Sequence, residues 1–460
     1  MRPAVEAEKL GIPSVVVTVT GFKEVAQAAA GAEGVDDLRV AEYPGAVGVH
    51  LEEIRAKIKE ILFDQIVDGL TNPVTRSSSG ATGIDWNPQE IVLRGSWEQV
   101  NQFFFENEWT DGLAIIPPTL ERVEKFLKYT GHLPDEEIAI LPQANLKAIP
   151  WNIAANAVMA GCRPEHMAIL IAAVKAMSDE RYNLNNIGTT WGVVPYLLIN
   201  GPIIKQLGIE YRGQLISRGP NPAIGRALGL IVRNIAGYRP GKNYMGTFGY
   251  PLPFALAENE EESPWEPFHV EHGFGRNSST VTAGATITWG WPPSPYSRPD
   301  KSAAQSTLEL LGEDLTKKPC LSRLAERGPK GMHNMVTLLL PPPVAKSLAE
   351  AGYSKQGIRD YLYEKARVPL HELEWTMKYG LPEVSTTPER VKSGLFSRDY
   401  LVGPNDLVRV LSSPEIVHMV VCGDPNRNRV MTLWSGYVQP VTRAIVVPEN
   451  WDSLLEKAKD

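Results

Sequence analysis

The sequence predicts an α/β protein. It reads as an incomplete Rossmann-like open sheet at the N-terminus, a mixed α/β central body, a helical segment and a C-terminal βα segment. Three observations predict this. Short β-branched or aliphatic runs, SVVVTVT (14–20), VTLLL (336–340) and EIVHMVV (415–421), have the length and continuity of strands buried on both faces. Between them lie segments whose apolar residues recur every three or four positions, the helical period. The 39 glycines and 37 prolines mark many irregular connections, which suits a loop-rich enzyme better than a coiled coil; no internal repeat is visible.

Residues 1–80 read as a partial Rossmann-like domain. A helix over 2–10 stops at Gly11, a strand over 14–20 follows, and Gly21-Phe22 turns into a helix over 23–32. A second strand covers 38–43, and Ile54, Ile58, Ile61, Leu62, Ile66 and Leu70 stripe a helix over 51–70. Such a domain ordinarily opens on a strand whose following loop holds the ligand. Here Met1 leads straight into a helix. The expectation is that the first strand and loop come from a further N-terminal segment or a small subunit, leaving a sheet edge exposed beside residues 14–20.

Residues 81–110 form a linker and a helix, the Ser/Gly-rich stretch over 71–97 giving way to helical spacing over 97–109. Residues 111–345 form the central α/β domain. It opens with an Asp111-Gly112 turn, a strand over 113–116, and Thr119 as N-cap of a helix over 120–129. Strands over 197–200, 253–257, 279–289 and 336–340 follow. Residues 346–400 are helical, with helices over 344–351, 354–366 (Ser354 as N-cap) and 370–379. Residues 401–460 return to α/β: the strand over 415–422 ends in a Cys422-Gly423-Asp424-Pro425-Asn426-Arg427 loop, and a last strand covers 444–447.

A net charge of -7 and a pI near 5.8 argue against a nucleic-acid or anionic-membrane partner, and no apolar run is long enough to span a bilayer. Cys162, Cys320 and Cys422 lie far apart with no CxxC pair, which fits a reducing cytoplasm and cysteines that are reactive or merely buried rather than bridged.

The stretch 149–177, IPWNIAANAVMAGCRPEHMAILIAAVKAM, is the first candidate site. Helical spacing on both sides of Gly161-Cys162-Arg163-Pro164 predicts two helices and a tight turn. A helix start beside Arg163 and His166 would lower the Cys162 pKa, making Cys162 and His166 candidate catalytic groups, with Asn152, Asn156 and Arg163 binding substrate. The plain alternative is two core helices and a buried cysteine. Arg218, Asn221 and Arg226 flank a Gly/Pro turn before a helix and could cradle an anion. In AENEEESPWEPFHVEHGF (257–274), Trp265 is a candidate substrate contact and Glu271 a candidate catalytic acid or base. His269, Glu271 and His272 could ligate a divalent metal, the cofactor of that reading. Its alternative is an acidic loop with solvated histidines, since residues 269 and 272 would face opposite ways on a strand.

Three stretches, DGLAIIPPTLERV (111–123), NAVMAGCRPEHM (156–167) and AENEEESPWEPFHVEHGF (257–274), resemble the UGSC family of bacterial (seleno)proteins, as do GIPSVVVTVTGF (11–22) and DDLRVAEYP (36–44). That family is named for a selenocysteine- or cysteine-Gly-Ser-Cys motif, which does not occur in residues 1–460. The resemblance implies thiol or selenol redox chemistry, with the reactive Cys or Sec on a further N-terminal segment or small subunit.

The leading expectation is therefore the large subunit of an oxidoreductase acting on a small molecule. A metal-assisted lyase, hydratase or hydrolase built on His269, Glu271 and His272 is the rival. A non-catalytic scaffold or binding subunit is the third reading.

Overall fold

The computed structural model describes residues 2–45, 51–73, 89–289, 293–317, 335–380, 386–394, 396–436 and 438–458. Cys320 and residues 74–88 of the Ser/Gly-rich stretch lie outside these. The chain is α/β, as its alternating periods predict.

The N-terminal unit pairs β1 (Val16–Val19) with β2 (Val40–Tyr43) in parallel, Val16 opposite Val40. Among the described residues no strand pairs with the other edge of β1, and Val17 is half exposed. Helices Lys23–Ala32 and Phe63–Thr71 pack nearby, giving two small apolar clusters rather than one large core.

The next elements are a short hairpin, β3 (Ala139–Leu141) with β4 (Leu146–Ala148), and then the central strands. β5 (Val194–Asn200) lies between β6 (Phe254–Ala257), parallel to it, and β7 (Thr280–Thr286), antiparallel. β8 (Val336–Leu340) follows, then the small antiparallel pair β9 (Arg367–Pro369) and β10 (Leu407–Arg409). β8 in turn lies between β11 (Val417–Val421), parallel, and β12 (Met431–Trp434), antiparallel. β13 (Val441–Ala444) crosses back to pair with β7, giving the order β13-β7-β5-β6.

The two sheets share one topology: a central strand, then a parallel neighbour, then an antiparallel one. No sequence repeat announces it, because backbone pairing and not side-chain identity is repeated. The sheets face each other. Side chains alternate along a strand, so Val194, Tyr196 and Leu198 of β5 meet Leu339 of β8, Val420 of β11 and Leu433 of β12. The Tyr196 hydroxyl lies 3.1 Å from that of Thr337 across this interface.

The opposite faces are covered by helices. Leu197 and Ile199 of β5 pack in the core that holds helices Pro150–Ala160, Met167–Met177 and Asn221–Asn234. Val336, Leu338 and Leu340 of β8 pack in the core that holds helices Ala303–Lys317, Pro342–Glu350 and Lys355–Lys365. The result is helix, sheet, sheet, helix. It explains why β5, β8 and β11 are apolar on both faces, each fully buried residue of Leu or Ile size contributing about 1.5–3 kcal/mol relative to exposure.

One expected strand is absent. Residues 113–116 form no ladder, because side chains take up their backbone groups. Arg226 donates to the carbonyls of Leu113 and Ala114, the Ile115 N–H donates to Asn101 Oδ1, and the Ile116 N–H reaches Met159 O. Among the described residues no helix is long and apolar enough to cross a membrane.

Candidate active site

The turn at 161–164 forms as its residues dictate. Gly161 takes a left-handed φ of 84° at the end of helix Pro150–Ala160, and Pro164 opens a short 3-10 turn before helix Met167–Met177. Its chemistry differs from the expectation. The Cys162 thiol donates to the Ala223 carbonyl at 3.3 Å, and burial pushes its pKa up rather than down. His166 is fully buried, its Nδ1 accepting the Arg163 N–H at 3.2 Å; burial and then the Arg163 charge push its pKa down to about 3. A neutral imidazole braces the turn.

The neighbouring polar residues bond groups within the chain. Asn152 accepts from the Ile149 N–H and donates to Lys147 O, holding the start of its helix. Asn156 accepts from Asn234 Nδ2, and Arg163 donates to Leu207 O. The residues of the expected anion cradle meet partners within the chain. Both Asn221 side-chain groups bond the Glu210 backbone, and Arg218 lies 3.8 Å from Glu210. Arg226 grips Asp111 through two 2.8 Å bonds.

The segment 257–274 lies elsewhere, against helix Lys355–Lys365. Trp265 donates to Tyr353 O. Glu271 bonds the buried Lys355 at 2.6 Å and lies 3.3 Å from Arg359. His272 pairs its Nδ1 with Phe268 O at 2.7 Å and stacks on the Phe268 ring; burial pushes its pKa down. His269 turns the other way, toward Glu260. Residues 268–271 form one helical turn, not a strand. The three expected metal ligands do not converge, and among the described residues no group of three or more His, Cys, Asp or Glu is placed to hold a metal ion.

What does converge is a group that the acidic run concealed. β5 and β6 run parallel and end side by side, and Asn200 is the last residue of β5 while Glu258 directly follows β6. Asn200 spreads its amide between two carboxyls, donating to Glu258 Oε2 at 2.6 Å and Glu260 Oε1 at 3.0 Å. The Phe268 N–H donates to the same Glu258 oxygen at 2.7 Å, and the Gly201 N–H to the same Glu260 oxygen at 2.7 Å. Gly201 has a φ of +87°, and a Cβ there would stand 2.3 Å from Ser278 O, so no other residue fits beside this amide.

The two carboxyls have different surroundings. Glu258 and Asn200 are fully buried, and among the described residues Glu258 Oε1, Asn200 Oδ1 and Asn259 Nδ2 have no hydrogen-bond partner. Burial, reinforced by Glu260 and opposed by Lys355 and the bonds from Phe268 and Asn200, raises the Glu258 pKa to about 7. Glu260 is partly exposed, and its Oε1 accepts two N–H bonds.

His269 faces Glu260. Its Nε2 lies 3.3 Å from Arg276 O, a carbonyl that can only accept, so that nitrogen carries a hydrogen. Its Nδ1 has no hydrogen-bond partner among the described residues and lies 3.6 Å from Glu260 Oε1. Beyond Glu258, the second sheet contributes Cys422, which follows β11 as Glu258 follows β6. The Asn259 N–H donates to Val421 O at 2.7 Å, and burial and then the Glu258 charge push the Cys422 pKa up.

The sequence reading passed over Asn200, Glu258, Glu260 and Lys355 as functional groups. The available signal was position: the first residues after parallel strands are where open α/β sheets hold ligands.

Residues 1–72 match the model of the UGSC family. The match covers the β1–β2 unit and ends before the central body. No curated protein and no solved structure matches the chain.

Proposed function

We propose that this protein is a small-molecule enzyme whose proton transfers run through Glu258. The observation that carries this is the pair of carboxyls held by one Asn200 amide in two different environments. Glu258, buried and raised to about 7, is poised to give or take a proton near neutrality. Glu260, partly exposed and 3.6 Å from His269, supplies the second carboxyl of the pair. Separating two carboxyls by environment is a general way of assigning one acid and one base role.

Substrate-independent profiling tests it. The purified protein is incubated with a small-molecule cell extract and the mixture followed by mass spectrometry, beside Glu258→Gln. The expected result is a compound consumed by the wild type and spared by a folded Glu258→Gln. A compound consumed equally by both would overturn the proposal.

The thiol or selenol reading rests on a separate observation: the UGSC-family match lies over β1, whose second edge has no partner strand among the described residues. Under this reading an added strand carries the reactive sulfur or selenium beside β1. Native mass spectrometry of the protein isolated from its source tests it. The expected result is a second polypeptide bearing Cys or Sec, and full activity in preparations of this chain alone would contradict it.

A further inference from the structure

The opposite end of β5 and β6 holds a separate cavity of about 490 Å³, within the range of small-molecule sites. Val194 and Phe254, the first residues of the two strands, form its floor. Asn200 lies six residues along β5 from Val194, roughly 20 Å, and Glu258 four residues along from Phe254, roughly 13 Å. The cavity is therefore not part of the proton-transfer group.

Its walls are aromatic and its charge is cancelled. Trp191 and Trp289 are 45% and 50% exposed, and Trp289 meets the Phe254 ring edge-on at 5.4 Å. Leu252, also half exposed, closes another side. Among the described residues of the lining the one charged residue is Arg226, whose guanidinium is already occupied by Asp111 and the carbonyls of Leu113 and Ala114. The Thr286 hydroxyl is occupied by Thr288 O. Two glycine turns press together to shape the wall: a Cβ on Gly192 would fall 2.4 Å from Gly249 O. Such a lining offers wide π and apolar surface and no unbalanced charge.

We propose that this cavity is a second ligand site, and that it takes an uncharged, flat aromatic molecule. Among the described residues of the lining, an anionic ligand would find no free cation and a cationic one no free carboxylate. The proposal is independent of the chemistry assigned to Glu258.

Titration of the full chain with uncharged N-phenyl-1-naphthylamine, followed by probe and tryptophan fluorescence, tests this. The anionic dye anilinonaphthalene sulfonate is the charge control. Saturable binding at one site is expected, weakened roughly tenfold in Trp289→Ala, about the worth of one aromatic contact. Leu252→Trp, which fills the mouth, is expected to weaken it as well, so the test does not depend on one variant folding. Ile58→Glu, in the apolar pocket beside β1, and Glu258→Gln are expected to leave it unchanged. Non-saturable uptake, equal binding of the anionic dye, or a loss in Ile58→Glu in place of Trp289→Ala would overturn it.

Discussion

The Asn200 amide nitrogen lies 2.6 Å from Glu258 Oε2, and both residues are fully buried at the adjoining ends of two parallel strands. That bond favours the ionised form of Glu258, whereas burial favours the neutral form. Replacing Asn200 with Ala removes a donor that serves both carboxyls. The Glu258 pKa is then expected to rise further above about 7, with a stability loss of roughly 1–3 kcal/mol for the unsatisfied acceptors. Carboxylate titration by NMR and urea unfolding check the two effects.

Glu258 also makes folding pH-dependent. Its folded pKa of about 7 lies above its ordinary 4.5, so the native state holds the proton more tightly than the unfolded chain. The stability contribution is fully present below the unfolded pKa and is lost as pH rises through the folded one. Across that window the loss is roughly 3 kcal/mol. Glu258→Gln, which resembles the protonated acid in shape, is expected to flatten the profile and to exceed the wild type above pH about 7 in urea unfolding. Parallel profiles for the two proteins would contradict it.

Lys355 ties the loop over Glu258 to its helix, donating to Glu266 O at 2.8 Å and Glu271 at 2.6 Å. Its charge lowers the Glu258 pKa. Lys355→Met is expected to destabilise by roughly 3 kcal/mol, the cost of breaking a buried pair. It is also expected to raise the Glu258 pKa. A stability loss without a change in Glu258 titration would separate Lys355 from the site.

Cys162 is expected to resist alkylation by iodoacetamide in the native state at neutral pH and to react on unfolding, because its thiol is turned inward and held protonated. Rapid native labelling would restore it as a reactive thiol.

Tyr196 lies across the ladder from Gly284, where a Cβ would fall 2.4 Å from the ring. Gly284→Ala therefore has to displace the residue that joins the two sheets. A loss of about 1–3 kcal/mol is expected from urea unfolding.

Much of the architecture was legible where the signal is local. The apolar stripes over 149–177 gave both helices, and Gly161 and Pro164 gave the turn between them. The strands buried on both faces were legible as continuous apolar runs. Their pairing was not, since β13 at 441–444 joins β7 at 280–286 through contacts that no local pattern encodes. The last strand was expected at 444–447 and lies at 441–444, its boundary set by that distant partner. Glu258 was hidden for a different reason. In the acidic run, Glu261 and Glu266 are exposed, as such runs usually are, and only the register of β6 draws Glu258 inward. The helix-turn cysteine was over-read because a helix start suggests a lowered thiol pKa, and burial outweighs it here.

The central claim is that Glu258 exchanges a proton near neutrality, and pH-difference infrared spectroscopy with Glu258→Gln as reference measures this directly. The expected result is a protonated-carboxyl band that disappears with a midpoint near 7 and is missing from the variant. A band that titrates at the ordinary 4.5, or one unchanged by the substitution, would contradict it.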